Sequence, residues 1–191
     1  MEREIELRLV VRLKAGDSAA FEAVYEAFRA RLFSFLVRLS RRRDVAEDLL
    51  EETFLRLVAR ARDLRSDTSL AAWLFTVARN LHASWCRHRA LHDERISELV
   101  PSWPAPARGE TPFEATARSE TEWCLETALA RLALRDREVI LLVAVEGLTP
   151  SEAAGALGLA PEALRKRLQR ARERLAAELD AKTARSQVKA G

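Results

Sequence analysis

An all-α fold of two small helical domains is predicted by three observations. Leu, Ala, Arg and Glu dominate the composition, while glycine and proline number only six each, which favours helix over sheet. Apolar residues recur at spacings of three and four along most of the chain. Four of the six prolines fall in one stretch, Leu99 to Pro112, which divides the chain in two. The length of 191 residues suits one ordinary domain or two small ones. Hydrophobic residues at 48% are enough for cores, which argues against disorder. A β-sandwich or doubly wound α/β domain is poorly supported, with aromatics at only 6%.

The elements follow in order. Ile5 to Lys14 reads as a short helix ending at Ala15-Gly16. Asp17 or Ser18 can cap a long second helix. Its Phe21, Val24, Tyr25, Phe28, Leu32, Phe35, Leu36 and Leu39 form one continuous stripe. Asp44 with Glu47 resembles a capping box and opens a third helix. Its stripe is Ala46, Leu49, Leu50, Thr53, Phe54, Leu57 and Ala61. Ser69 can cap a fourth, with Leu70, Trp73, Leu74, Val77, Ala78, Leu81 and Trp85 facing inward. These stripes need one another to leave water, so residues 1–94 are expected to form a helical bundle.

Proline removes backbone donors and blocks helix, so residues 95–118 read as a linker. Trp103 within it either docks on a partner or folds back on the bundle. A second domain is expected over 119–181, with helices at Glu120–Leu134, Arg135–Glu146, Ser151–Leu157 and Pro161–Leu179. The run Val139–Val145 could be a strand by periodicity alone. Its helical neighbours and its stop at Gly147 favour a fully buried helix. The polar tail 182–191 is expected to be loose.

Several function classes lose support here. Cys86 and Cys124 are too few for a disulfide framework, and Cys124 reads as a core residue. The start MEREIELRLVVRLKAGD alternates charged and apolar residues, unlike a signal peptide. The longest apolar run, Val139–Val145, has seven residues, far below the ~18–20 of a membrane span. A soluble, cytoplasmic chain without membrane insertion is expected. The motifs GxGxxG, P-loop and HExxH are absent, so no cofactor and no enzyme activity are expected. His82 and Cys86 stand one turn apart, with His88 and His92 following. No second cysteine is near, so nucleic-acid contact or plain exposure is favoured over a metal.

With 32 basic and 29 acidic residues the net charge is only 32 − 29 = +3, yet the charge is segregated. Arg38, Arg41, Arg42 and Arg43 are followed at once by Asp44, Glu47, Asp48, Glu51 and Glu52. Arg165, Lys166, Arg167, Arg170, Arg172 and Arg174 lie within ten residues, interrupted only by Glu173. One segment suits phosphates, another a basic protein surface.

Thr149-Pro150-Ser151-Glu152 is a strong helix start, with Thr149 as cap and Glu152 able to return the bond. That helix ends at Gly158, and a short turn leads into ALRKRLQRARERL, together a helix-turn-helix. Leu157, Leu159, Leu164 and Leu168 would form its small core, and Leu164, Leu168, Ala171, Leu175 and Leu179 the inward stripe. Arg165, Gln169 and Arg172 project together, flanked by Lys166 and Arg170. Such side chains can read base edges in the major groove. The outer arginines, Arg174 among them, would hold phosphates. The plainer reading is a basic amphipathic helix in a bundle; the cap, the turn glycine and the charge favour DNA.

The C-terminal run ALARLALRDREVILLVAVEGLTPSEAAGALGLAPEALRKRLQRARERL resembles region 4 of a bacterial sigma factor. The N-terminal run GDSAAFEAVYEAFRARLFSFLVRLSRRRDVAEDLLEETFLRLV, continuing into SLAAWLFTVARNLHASWCRHR, resembles region 2. The lack of a large domain between them matches the extracytoplasmic-function (ECF) group of the sigma-70 family. The resemblance spans Leu9 to Leu179 and involves two motif sets in the right order.

The resemblance implies a chain that binds core RNA polymerase, directs it to promoter DNA and helps melt the duplex, with an anti-sigma factor as a further partner. Region 2 would read the −10 element and dock on the polymerase clamp. Region 4 would read the −35 element through Arg165, Lys166, Gln169, Arg170 and Arg172 and also dock on polymerase, while the linker threads along the core enzyme. Asp48, Leu49, Glu51, Glu52 and Phe54 match the clamp-contacting segment. The loop Leu64–Ser69, with Arg65 and Ser66, matches where the family holds a flipped base. On the fourth helix Phe75, Arg79, His82 and Cys86 are expected to face outward, with Asn80, Ala83 and Arg87 beside them. Phe75 would stack on an unpaired base, and Trp73 and Trp85 would be structural.

The chain departs from the family's pattern at Glu51, where glutamine is usual, at Glu162-Ala163, where Gly-Thr is common, and at Lys166, where serine is common. Two other classes stay open. An autonomous helix-turn-helix regulator would bind duplex tightly without polymerase; a protein-interaction bundle would show little salt-dependent DNA affinity.

Overall fold

Apolar stripes that water rejects are buried helix against helix, in two separate units. The structure, a computed structural model, describes residues 3–99 and 120–189, and every regular element among them is helical. The chain divides into Met1–Arg108 and Gly109–Gly191. Of the linker expected over 95–118, residues 95–99 instead continue the last helix of the first unit, and residues 100–118, with Trp103, lie outside the described residues.

The first unit holds α1 (Arg3–Lys14), α2 (Ser18–Ser40), α3 (Arg43–Arg60), a short 3-10 helix (Ala61–Asp63) and α4 (Leu70–Leu99). The central helix, α2, packs against α1, α3 and α4. From Val24 onward its stripe is buried as the spacing predicts except at Tyr25, which is exposed, and Phe21 before it is half-buried; Phe28, Leu32, Phe35 and Leu36 form a core with Leu57 of α3 and Leu70 and Leu74 of α4. Each such side chain contributes about 1.5–3 kcal/mol on leaving water.

Asp17 caps α2, accepting from the amides of Ala19 at 2.9 Å and Ala20 at 3.3 Å. A hydrogen bond from the Arg12 guanidinium holds the Asp17 carboxyl below its usual range, and the two amides act in the same sense. A depressed folded-state pKa means that the cap stabilises above the unfolded value and is lost as pH falls through the folded one.

Two local expectations fail in this unit. Asp44 and Glu47 form no capping box. Because α3 starts at Arg43, the cap position falls to Arg42 and no side chain fills it. Asp44 instead pairs with Arg42, and Glu47 with Arg43. In the first turn their charges still favour the helix dipole. The inward face of α4 is also turned from the expected one by roughly half a residue step, on the ~100° spacing of an α-helix. Phe75 and His82 are buried with Leu70, Leu74, Ala78 and Leu81, whereas Trp73, Val77 and Trp85 are only half-buried. Because α4 leans on both α2 and α3, its buried face is centred between them. Phe35 of α2 takes Phe75 edge-on, with ring centres 5.2 Å apart.

The second unit holds α5 (Glu120–Arg131), α6 (Leu134–Ile140) running into a π-helical turn (Leu141–Val145), α7 (Pro150–Leu157) and α8 (Pro161–Lys189). Its core contains Val139, Ile140, Leu141 and Leu142. The run expected to be fully buried is not, since Val145 is 47% exposed. The π turn, closed by Glu146 N–H on the Leu141 carbonyl at 2.9 Å, rotates the end of the run outward before Gly147 at φ 71°. α8 continues past the expected end at Leu179, so the backbone of most of the tail expected to be loose is helical.

Arg137, only 6% exposed, joins α6 to the end of α5. Its Nε donates to the Leu129 carbonyl at 2.9 Å, and its Nη2 to those of Ala130 at 2.7 Å and Leu132 at 2.9 Å. A helix end leaves such carbonyls short of partners, although that of Leu129 also accepts from the Leu132 amide at 3.2 Å. Arg137→Ala is expected to lower the stability of this unit by about 3 kcal/mol, read as a lower urea midpoint. An unchanged midpoint would remove Arg137 from this role.

Candidate nucleic-acid interface

The helix-turn-helix forms as the residues dictate. Thr149 Oγ1 accepts from the Glu152 amide at 3.3 Å, and Glu152 Oε2 accepts from the Thr149 amide at 2.9 Å, a reciprocal capping box. Pro150 opens α7. Gly158, at φ 63°, takes the left-handed conformation that turns the chain toward α8. Leu164 and Ala171 of α8 are fully buried, Leu157 of α7 nearly so, and Leu159, Leu168, Leu175 and Leu179 are half-buried.

That anchoring turns the opposite face of α8 to solvent. Arg165, Lys166, Gln169, Arg170 and Arg172 are all exposed on it. Gln169 Nε2 donates to Glu173 Oε1 at 3.0 Å. Arg174 departs from its expected place among the phosphate-holding arginines. Its guanidinium pairs with Asp136, a carboxylate whose side chain is only 8% exposed, and so ties α8 to α6.

The first unit presents a second site at the loop Leu64–Ser69. Leu64 and Leu70 are buried at its ends, while Arg65, Ser66 and Asp67 are exposed. Arg65 lies bidentate on Asp67, with both contacts at 3.0 Å, and this hydrogen bonding raises the guanidinium's pKa above its usual value. Where α3 and the 3-10 helix meet α4, an open cavity of about 480 Å³ is lined by Arg56, Arg60, Asp63, Trp73 and Val77 among others, and of the loop itself only Leu64 reaches it. Trp73, for which a structural role is favoured over DNA contact, is half-buried and lines this cavity. Its place one turn into the helix that follows the loop is the signal that could have found it.

Two residues expected on the α4 surface are not there. Phe75 is fully buried against Phe35, with the Arg31 guanidinium 5.4 Å over its ring, and cannot stack on a base. His82 is 1% exposed, its Nε2 3.6 Å from Cys86 Sγ and its ring stacked near Trp85. No third metal-ligating side chain stands with them among the described residues. Asn80 and Arg87 are exposed, whereas Arg79, Ala83 and Cys86 are half-buried. Arg79 donates to Asn80 Oδ1 at 3.2 Å.

On α3, Asp48 and Glu51 are exposed, and the half-buried Glu52 pairs with Arg56 at 2.9 Å. Leu49 and Phe54, expected at the same surface, are buried at 8% and 4% exposure. Phe54 lies against Tyr25, with ring centres 4.7 Å apart, and edge-on to Phe21. Leu55 and Val58, 63% and 58% exposed, are the apolar side chains that α3 does present there. No described helix is long and apolar enough to cross a membrane.

Comparison with known proteins shows the family. Residues 24–91 match the family model for sigma-70 region 2, and residues 122–175 that for sigma-70 region 4. The chain is 34% identical over 152 residues to the ECF RNA polymerase sigma factor EcfG of Rhodopseudomonas palustris, covering 78% of each. It is 30% identical over 168 residues to "Probable RNA polymerase sigma factor RfaY" of Xanthomonas campestris, covering 86% of this chain but only 42% of that longer protein. The solved structure of the sigma factor RpoE of Bartonella quintana, in complex with the anti-sigma factor NepR, has a TM-score of 0.70 and 28% identity. That likeness covers 84% of this chain and 96% of the other.

The geometry separates two arginines of α8. Arg165→Ala should weaken duplex binding by about 1–3 kcal/mol at one base position, read across a library of mutated duplexes. Arg174→Ala should instead destabilise the second unit by about 1–3 kcal/mol in urea, because Asp136 loses its cation. An equal, sequence-blind loss of binding from both would contradict the assignment.

Proposed function

The chain belongs to the ECF group of the sigma-70 family, and on that premise we propose how its residues divide the work of promoter recognition. It binds core RNA polymerase in the cytoplasm and carries it to promoter DNA. In the second unit α8 enters the major groove of the −35 element. Arg165, Gln169 and Arg172 meet base edges, and Lys166 and Arg170 hold flanking phosphates.

In the first unit the Leu64–Ser69 loop and the cavity at its start take a base flipped from the −10 element. The indole of Trp73 offers the stacking surface, and Arg56 and Arg60, paired with Glu52 and Asp63, line the cavity beside it. Stacking of this kind is worth about 1–3 kcal/mol per base. Arg65 and Ser66 flank the entrance, while Arg79, Asn80, Ala83 and Arg87 follow the strand along α4.

Asp48 and Glu51 face a basic surface of the polymerase clamp, with Leu55 and Val58 supplying the apolar contact in place of Leu49 and Phe54. Charge complementarity there serves orientation and on-rate. An anti-sigma factor would compete by covering these same faces.

One observation carries the reading. A single chain combines an exposed basic face on a helix-turn-helix with a separate open cavity, lined by Trp73, at the start of the Leu64–Ser69 loop. The test is transcription by purified core polymerase with the full chain on a fragment library. Promoter-specific transcripts are expected, and Trp73→Ala should slow promoter opening by roughly tenfold or more, the equivalent of one lost stack. No transcripts and no association with core would overturn the proposal.

A further inference from the structure

The root of the Leu64–Ser69 loop is held from a distance. An α-helix leaves its first amides without partners. At the start of α4, Ser69 Oγ accepts from the Ala72 amide at 3.3 Å, an ordinary local cap. The Ala71 amide is taken by Glu6 Oε1 at 3.1 Å, from a side chain on α1 that is only 7% exposed and 65 residues away in sequence. α1 also packs against the 3-10 helix Ala61–Asp63, which leads into the loop. Leu9, Val10 and Leu13 of α1 are buried and fix it in place. One helix therefore grips the chain on both sides of the loop, before Leu64 and after Ser69. Within the loop only one backbone bond is formed, Thr68 N–H to the Arg65 carbonyl at 3.0 Å.

We propose that Glu6 is a positioning residue for promoter melting: by holding the Ala71 amide it fixes the root of the Leu64–Ser69 loop, so that the cavity meets a flipped base already formed. This rests on the proposed base-binding role of the loop. A preorganised site avoids the ordering cost that a slack loop would charge against binding. A carboxylate suits the position, because it satisfies an orphan amide and places negative charge at the positive end of α4.

The test uses the full chain and a promoter recovered with the wild type. Glu6→Ala should speed hydrogen exchange at amides 64–72 by roughly tenfold or more, and slow promoter opening, followed by thymine reactivity to permanganate, by a similar factor. Core-polymerase association should stay at the wild-type level, a split that general loosening of the bundle would not produce. Glu6→Gln keeps an acceptor oxygen and should restore both rates. If Glu6→Ala fails to fold, Glu6→Asp, which keeps the charge but draws the carboxylate back from the Ala71 amide, decides the matter by the same two readouts. Wild-type opening despite a loosened loop, or core association lost in step with opening, would overturn the role of Glu6 alone. A wild-type chain that yields no transcripts would overturn the parent reading and this one with it.

Discussion

Arg137 lies almost out of water with its guanidinium on three carbonyls at the end of α5, and the placement of the recognition helix follows from it. A buried cation is costly unless its donors are satisfied. Here the acceptors are backbone carbonyls at a helix end, of which that of Leu129 also takes the Leu132 amide. α6 is thereby locked to α5, and the neighbouring residue Asp136 is held where it can grip Arg174 of α8. Two adjacent residues of opposite charge thus set the helix that flanks α8 and the side of α8 that turns to solvent. The basic face is exposed because the other face is pinned by this pair and by Leu164 and Ala171.

The first unit answers the same constraint with other residues. Asp17 closes the start of α2, and Ser69 with Glu6 closes the start of α4. Each satisfied helix end fixes a chain direction, and the loops between them inherit that order. The loop at the cavity is therefore short, rooted at both ends by buried leucines, and still open to solvent at Arg65 and Ser66. An interface that must admit an unstacked base needs such a rim: a firm frame with exposed polar tips.

How much of this was legible depended on the range of the interactions. The stripe of α2 was readable because a helix surrounded on several sides buries whatever apolar face it has. The cap at Thr149 was readable because all its partners lie within four residues. The similar pattern at Asp44 and Glu47 failed because α3 begins one residue too early for it. On α4, spacing marked an apolar face but not its centre, which the contact with both α2 and α3 decides. Phe75 and His82 face inward rather than outward for that reason. Leu49 and Phe54 were assigned to a surface on their acidic neighbours, although their own spacing pointed inward. Bonds such as Glu6 to Ala71 and Arg174 to Asp136, separated by 65 and 38 residues, leave no local trace in a sequence.

The central claim is that one chain touches two different promoter elements from two different units while bound to polymerase. Photo-cross-linkers placed at Lys166 on α8 and at Asp67 in the loop, in the polymerase-bound chain at a promoter, test it most directly. Cross-links from Lys166 to duplex in the −35 element and from Asp67 to the melted strand of the −10 element, within one complex, are predicted. Cross-links from both positions to the same stretch of DNA, or none from Asp67 to the opened strand, would contradict it.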